Sequence, residues 1–297
     1  MFNSLFNNFT GNKYNAIFAP MFKKGGFSLV SLIALFVLLS SCSNYQRLLK
    51  STNNDMKYES AVKYYEKKDY ARAEPLFEQL LTINKGTSKY EMTYYYYAYC
   101  YFGEGDYEEG SFYFDGFVNT FPSSKFAEEC TFMSAFCFYM GSPSSSLDQT
   151  NTRKAMDRLQ IFANKYPKST KVDQCNQLID LLREKLQKKD YNNAKLYYKM
   201  SDYRASSVCF KNIVKTYPDT KYKEECLFLV VKSYYLWASN SIENKKEERY
   251  KSCIESYTTF IDNCPNSKYI KEAESYYDNS LKQLDKKHIS GKISLGN

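Results

Sequence analysis

One histidine, one tryptophan, seven prolines, eleven glycines and no Cys-x-x-Cys pair in 297 residues leave several function classes without their raw material. His288, the single imidazole, stands among lysines and an aspartate near the end of the chain, the setting of a solvated tail. A Ser-His-Asp triad, a two-histidine zinc site or a histidine relay is therefore all but excluded. The missing Cys-x-x-Cys spacing argues against zinc ribbons and thioredoxin-like redox work. The low Gly and Pro counts exclude collagen-like repeats, and 43% hydrophobic with 25% charged residues is the composition of a globular chain rather than a disordered one. Clustered basic charge is absent too. The densest run, Lys245-Lys246-Glu247-Glu248-Arg249, is interrupted by acids, so no nucleic-acid partner is expected.

What is present begins with a leader. Lys23-Lys24-Gly25-Gly26 precedes Phe27 to Leu39, thirteen residues that are apolar apart from Ser28 and Ser31. That run is short for a hydrocarbon core of ~30 Å and has the length of the apolar part of a signal peptide. Leu39-Ser40-Ser41-Cys42 follows, and a Leu and two small residues before a Cys resemble the bacterial lipobox. Small residues let the strand enter a narrow peptidase cleft, and the thiol accepts diacylglycerol. Cleavage before Cys42 and acylation of its amine would complete a stable anchor, since each buried CH₂ contributes ~0.8 kcal/mol. The competing reading is an uncleaved membrane anchor with a free Cys42. Residues 1–20 fit no part of a signal peptide, and translation is expected to start at Met21. Residues 1–41 hold Lys13, Lys23 and Lys24 and no acid, so 38 of the 41 basic residues face all 33 acidic ones in the remainder. The balance, about +5, is spread along the chain.

Self-comparison gives the strongest signal beyond the leader. Ala61, Tyr64, Ala73 and Phe77 recur at identical spacing as Ala98, Tyr101, Gly110 and Phe114, and again as Ala194, Tyr197, Ser206 and Phe210. Two degenerate copies pair Ala135 and Phe138 with Ala155 and Leu159, and Val231 and Tyr234 with Cys253 and Tyr257. Pro122, Pro167, Pro218 and Pro265 each precede a Ser or Thr by two residues, which reads as a helix stop followed by an N-cap. Asp-Tyr at 69–70, 106–107, 190–191 and 202–203 reads as turns, with Asp capping a second helix in three of them. This is the tetratricopeptide pattern, in which small residues let paired helices approach and each hairpin buries its apolar side against the next. An all-α superhelix of about five hairpins is expected, closed by a C-terminal capping helix near 267–285, with inserts at 140–151 and 239–249. Eight further cysteines, four of them within three positions of this core frame, read as small apolar filler.

Lipobox, five long hairpins and a length of about 256 residues after the leader together resemble the BamD family, lipoproteins of the outer-membrane β-barrel assembly machine. Local sequence supports this: Ser43-Asn44-Tyr45-Gln46-Arg47-Leu48-Leu49-Lys50 and Lys57-Tyr58-Glu59-Ser60-Ala61 are similar to the family, and Tyr95-Tyr96-Tyr97-Ala98-Tyr99-Cys100-Tyr101 and Ser142-Pro143 with Leu147-Asp148-Gln149-Thr150 resemble its Bacteroidota branch. The resemblance covers roughly 42–284. It implies a periplasmic-face, lipid-anchored scaffold with no enzymatic activity, no cofactor and no metal. Its implied partners are the BamA-like barrel insertase, other subunits of the machine, unfolded outer-membrane proteins, and the membrane through the anchor.

The domain organisation expected is a signal peptide at 1–41, a lipidated linker at 42–54, tetratricopeptide halves at 55–166 and 167–285, and a flexible tail at 286–297. With Ala61 and Tyr64 on the core stripe, Tyr58 and Tyr65 fall on a second helical stripe, and the next hairpin adds Tyr95 and Tyr99 as candidate lining of a peptide groove. A glycan-binding lipoprotein of the SusD type is the alternative in another class, but the chain lacks room for the large sugar-binding insertion. A two-carboxylate glycosidase is a third, and the acids read instead as caps and solvated helix faces. Cys42→Ala should abolish metabolic palmitate labelling and release the protein from the outer membrane. Labelling that persists in this variant would refute the anchor.

Overall fold

The computed structural model describes residues 44–294, with side chains as far as residue 286. The leader and Cys42 lie outside the described residues. Contacts divide the chain into a unit ending at Lys57 and a unit beginning at Tyr58. In the first, residues 44–49 form a short helical turn, and the Lys57 ammonium donates to the Leu49 carbonyl at 3.2 Å. Asn53 accepts from the Met56 amide at 3.0 Å, which caps α1 (Asn54–Glu66).

The second unit continues helix after helix: α2 (Tyr70–Asn84), α3 (Tyr90–Glu104), α4 (Tyr107–Thr120), α5 (Ala127–Met140), α6 (Thr150–Lys165), α7 (Val172–Lys199), α8 (Tyr203–Thr216), α9 (Lys223–Ser239), α10 (Glu243–Asn263) and α11 (Ile270–Ser294). No strand occurs among the described residues. From α2 onward each helix packs on the next in sequence, and α11 also packs on α9. The fold is all-α: five tetratricopeptide hairpins, α1/α2 to α9/α10, closed by α11. That last helix exposes Lys271, Glu274, Asp278 and Lys282 on its outer side, as a terminal cap should.

The repeat residues lie where their spacing places them. Ala61, Ala73, Ala98, Ala194 and Ser206 are fully buried, as are Phe77, Phe114 and Phe210. Gly110 is buried where a Cβ would stand 3.3 Å from Cys137 Sγ and 3.4 Å from the Phe102 backbone nitrogen. The core forms two clusters, one gathered from Ala98 to Leu182 and one from Tyr191 to Ala273. The 28-residue α7 serves both, giving Cys175, Leu178 and Leu182 to the first, then Tyr191 and Ala194 to the second.

Turn chemistry is shared between hairpins. The position before the Asp adopts a left-handed backbone at Lys68, Gly105 and Ser201, with φ of 60°, 83° and 62°, and only Gly105 does so without a Cβ penalty. Asp106 and Asp202 cap α4 and α8 by accepting from Glu109 and Ala205 amides, whereas Asp69 makes no such bond and pairs with Arg72 at 3.0 Å. The tyrosine after each Asp packs back on the first helix of its hairpin: Tyr70 on Tyr65, Tyr107 on Phe102 and Tyr203 on Tyr198. Gly103 admits Tyr70, whose ring would lie 2.3 Å from an added Cβ.

Two expectations need correction. Asp190-Tyr191 is not a turn but the middle of α7, because nothing between Val172 and Lys199 breaks the helix, and Asp190 accepts from the Tyr217 phenol at 3.2 Å. The hydroxyls after the prolines are not helix N-caps. Phe126, Lys171 and Tyr222 occupy those positions and make no side-chain cap bond. Instead Ser124, Ser169, Thr220 and Ser267 each accept from the amide two residues on, closing the turn before the helix. The three serines also donate to a glutamate in the first turn of the preceding first helix, Ser124 to Glu91 at 2.5 Å, Ser169 to Glu128 at 2.6 Å and Ser267 to Glu224 at 2.6 Å. Each bond clasps one hairpin to the next. At the fourth junction the loop meets α7 farther along, through Asp219 with Arg183 and Lys221 with Glu184.

The inserts differ in kind. Residues 141–149 are irregular but pinned by buried Gln149, whose amide donates to the Ser144 and Leu147 carbonyls, and by Lys185, which donates to Ser142 Oγ at 2.7 Å. The second insert is mostly helical, as extra turns at the start of α10.

Six cysteines, Cys100, Cys130, Cys137, Cys175, Cys226 and Cys253, are buried free thiols, and Cys209 and Cys264 are half-buried. Burial pushes Cys137 and Cys226 up to about 12, and Cys175 and Cys253 to about 11, from an ordinary 9.0. Tyr94 and Tyr276 rise to about 12 from 10.0, again chiefly through burial. Raised folded values favour the neutral forms, so this stability is intact below about pH 9 and lost as pH climbs toward 12. Melting temperature should therefore begin to fall between pH 9 and 10, and a flat profile to pH 11 would contradict it. Ala98→Leu and Gly110→Leu should each destabilise by ~1–3 kcal/mol or more, since both overpack a helix crossing. Glu104→Gln, at an exposed turn, should change the melting temperature little. Equal losses at all three sites would refute the repeat frame.

Candidate functional site

The four tyrosines expected to line a groove lie on α1 and α3, and the structure joins them through a fifth. Tyr58 meets Phe77 edge-on with ring centres 6.4 Å apart, and Phe77 stacks on Tyr96 at 5.5 Å. Tyr96 also meets Tyr65 at 4.8 Å and Tyr95 at 5.8 Å, and Tyr95 meets Tyr99 at 4.7 Å. These rings form one band across the first helices of the first two hairpins. Every member except Phe77 is half-buried, with one side in the core and the other at the surface. Tyr95 continues the band to Phe126 at 4.7 Å, at the start of α5.

The band ends on a carboxylate. Glu129, half-buried in the first turn of α5, accepts from the Tyr99 phenol at 2.6 Å and the Tyr95 phenol at 3.2 Å, both on the same oxygen. Burial raises Tyr65, Tyr95 and Tyr99 far above the usual phenol range, and the Glu129 charge adds to the rise at Tyr95 and Tyr99. These phenols therefore stay neutral and serve as donors. The arrangement presents flat apolar area with a few fixed hydrogen-bonding groups. That suits an extended polypeptide rather than chemistry on a small substrate. No group of three His, Cys, Asp or Glu among the described residues is placed to hold a metal.

Tyr96 and Glu129 were absent from the sequence-based assignment. Tyr96 falls on neither helical stripe counted from Ala61, although its place beside Tyr95 put it within reach. Glu129 carried no local signal that set it apart from Glu128, its neighbour, which makes the inter-hairpin clasp.

A second surface lies on the fourth hairpin. Leu196 and Tyr197 of α7, Met200 just after it and Val208 of α8 are 41–67% exposed. A shallow cavity of about 290 Å³ runs between Tyr197 and Val208, with Arg204 and Asp202 at its edge. A similar cavity of about 310 Å³, lined by Arg153, Met156 and Ile179, lies between α6 and α7. Neither cavity touches the tyrosine band.

No helix among the described residues is long and apolar enough to cross a membrane. No curated protein sequence matches the chain. Among solved structures, the tetratricopeptide domain of P58(IPK) shares 12% identity over 88% of this chain and 71% of that one, with a TM-score of 0.36. The Naa15/Naa10 complex bound to HypK-THB shares 14% over 79% of this chain and 39% of that one, with a TM-score of 0.28, so the chain spans well under half of it. Likenesses this distant add nothing to the helix order already described. The model of the YfiO family, described as outer membrane lipoprotein, matches residues 50–249, that is 200 of the 297 residues and nearly all of the five hairpins. With that match, the chain belongs to the YfiO family of outer membrane lipoproteins.

Proposed function

We propose that this protein is a non-enzymatic scaffold of the β-barrel assembly machinery, anchored by lipid at Cys42 to the periplasmic face of the outer membrane. In this reading the tyrosine band of α1 and α3 holds segments of unfolded outer-membrane proteins, and the periplasmic domains of a BamA-like insertase dock on the exposed apolar patch of α7 and α8. The observation that carries the reading is the unbroken ring-to-ring contact from Tyr58 to Tyr99 in a member of an outer membrane lipoprotein family. Tyrosine offers contact area and one hydrogen bond at small entropic cost, which favours loose recognition of many segments. The patch supports a protein contact because four large apolar side chains exposed together are unusual without one.

The tyrosines should separate by environment. Tyr58→Ser loses mainly an edge contact to Phe77, so crosslinking to an unfolded barrel substrate should fall severalfold with a melting shift of a few degrees. Tyr99→Ser also loses its contact with Phe114 and its bond to Glu129, and should lower both readouts. Unchanged crosslinking in the Tyr58, Tyr65 and Tyr95 variants would contradict the groove. A double Met200→Glu, Val208→Glu variant should lose the insertase on co-purification, read by mass spectrometry, while keeping its melting temperature. Retention of the insertase would remove that docking site.

A further inference from the structure

The two halves of the solenoid repeat one another at a separation of 96 residues. Tyr95, Phe126, Glu128 and Glu129 correspond to Tyr191, Tyr222, Glu224 and Glu225, and Ala98 and Phe114 to Ala194 and Phe210. The correspondence extends to contacts. Tyr95 packs on Phe126 at 4.7 Å, and Tyr191 stacks on Tyr222 at 4.2 Å. The Tyr95 phenol donates to Glu129, and Glu225 stands beside Tyr191, where its charge adds to the rise of that phenol as Glu129 does at Tyr95.

One position breaks the match. The residue after the buried small side chain is Tyr99 in α3 but Lys195 in α7, and it is lysine again in α9, where Lys232 follows Val231. Lys195 lies 3.4 Å from Glu225, and Lys232 lies 2.8 Å from Glu272, which occupies the same place in α11. At two seams between first helices, then, a lysine neutralises the glutamate. At the α3/α5 seam a neutral phenol stands in the lysine's place, and Glu129 has no ion pair among the described residues. Two phenols supply hydrogen bonds but no charge. Lys125 lies 4.9 Å over the Phe126 ring, just as Lys221 lies 5.7 Å over Tyr222, so the two seams differ only at the place beside the carboxylate, where Lys195 has its ammonium and Tyr99 a phenol.

We propose that Glu129, Tyr95 and Tyr99 form a receptor for a cationic side chain, a lysine or arginine flanked by aromatic residues in an extended segment lying on the tyrosine band. The ligand supplies the charge that Lys195 and Lys232 supply internally. The segment's aromatic residues lie against Tyr65 and Tyr96, and its ammonium or guanidinium reaches the carboxylate between the phenols. This rests on the reading of the band as a peptide-binding surface, which it sharpens into a preference for segments of one charge.

The test uses the full chain purified in detergent and two labelled ten-residue probes of alternating aromatic and small polar residues. They are identical except for a central lysine in one and norleucine in the other. Fluorescence anisotropy should show the lysine probe binding at least fivefold more tightly, with the advantage shrinking as salt is raised. Glu129→Gln should erase the difference between the two probes. Tyr99→Lys, which restores the internal pair of the other seams, should erase it as well, and this second variant keeps the test decisive if the first fails to fold. Equal binding of both probes to the wild-type chain would overturn the cation receptor while leaving the groove. Failure of both probes to bind would overturn the groove and the receptor together.

Discussion

No hairpin in this chain can bury its apolar side alone, and the close approach of each hairpin to the next is the constraint on which everything else depends. Ala61, Ala98, Gly110, Ala194 and Ser206 keep the crossings narrow, and phenylalanines fill the space beside them. The serine–glutamate clasps then fix the starts of α5, α7 and α11 against the preceding hairpin, at Ser124–Glu91, Ser169–Glu128 and Ser267–Glu224. With spacing and start both fixed, side chains one helix pair apart fall into line. Tyr95 reaches Phe126 at the start of α5 across the junction that Ser124 and Glu91 hold in register. The surface described as functional is in this sense a by-product of the packing rule.

The same rule gives the two ends of the solenoid different chemistry from nearly the same frame. In the carboxy-terminal half, Lys195 and Lys232 close their seams with ion pairs beside Tyr191 and Tyr276. Partly exposed pairs of this kind add little stability on their own, and their effect is to remove an uncompensated carboxylate from the surface. In the amino-terminal half, tyrosine replaces lysine, and Glu129 is held by two phenols instead of an ion pair. One substitution within a repeat is enough to turn a self-satisfied seam into one that can accept a ligand.

Much of the fold was legible because it depends on residue size at fixed spacing, which a sequence states openly. The Ala/Gly/Ser and Phe positions, the hairpin count and the closing helix all followed from that arithmetic. A Ser or Thr two residues after Pro looks the same in sequence whether it caps the coming helix or closes the turn before it, and here it closes the turn. Asp190-Tyr191 misled because its dipeptide matches the turns while α7 runs straight through it. Of the candidate site, the sequence makes the tyrosines legible and not what joins them. Tyr58, Tyr65, Tyr95 and Tyr99 came from helical periodicity, but the contacts that join them cross between helices, and those depend on inter-hairpin register that no single helix encodes. Tyr96 and Glu129 belong to that second class. The 96-residue correspondence was present in the sequence throughout, and it acquired meaning only once Lys195 and Glu225 were seen in contact.

The central claim is that unfolded outer-membrane polypeptide binds across α1, α3 and α5. Hydrogen–deuterium exchange of the full chain, with and without an unfolded barrel protein, tests it most directly. Slowed exchange confined to residues 54–66, 90–104 and 127–140, with α10 and α11 unchanged, is the predicted result. Protection in the carboxy-terminal half alone, or none anywhere while the substrate is demonstrably bound, would contradict it.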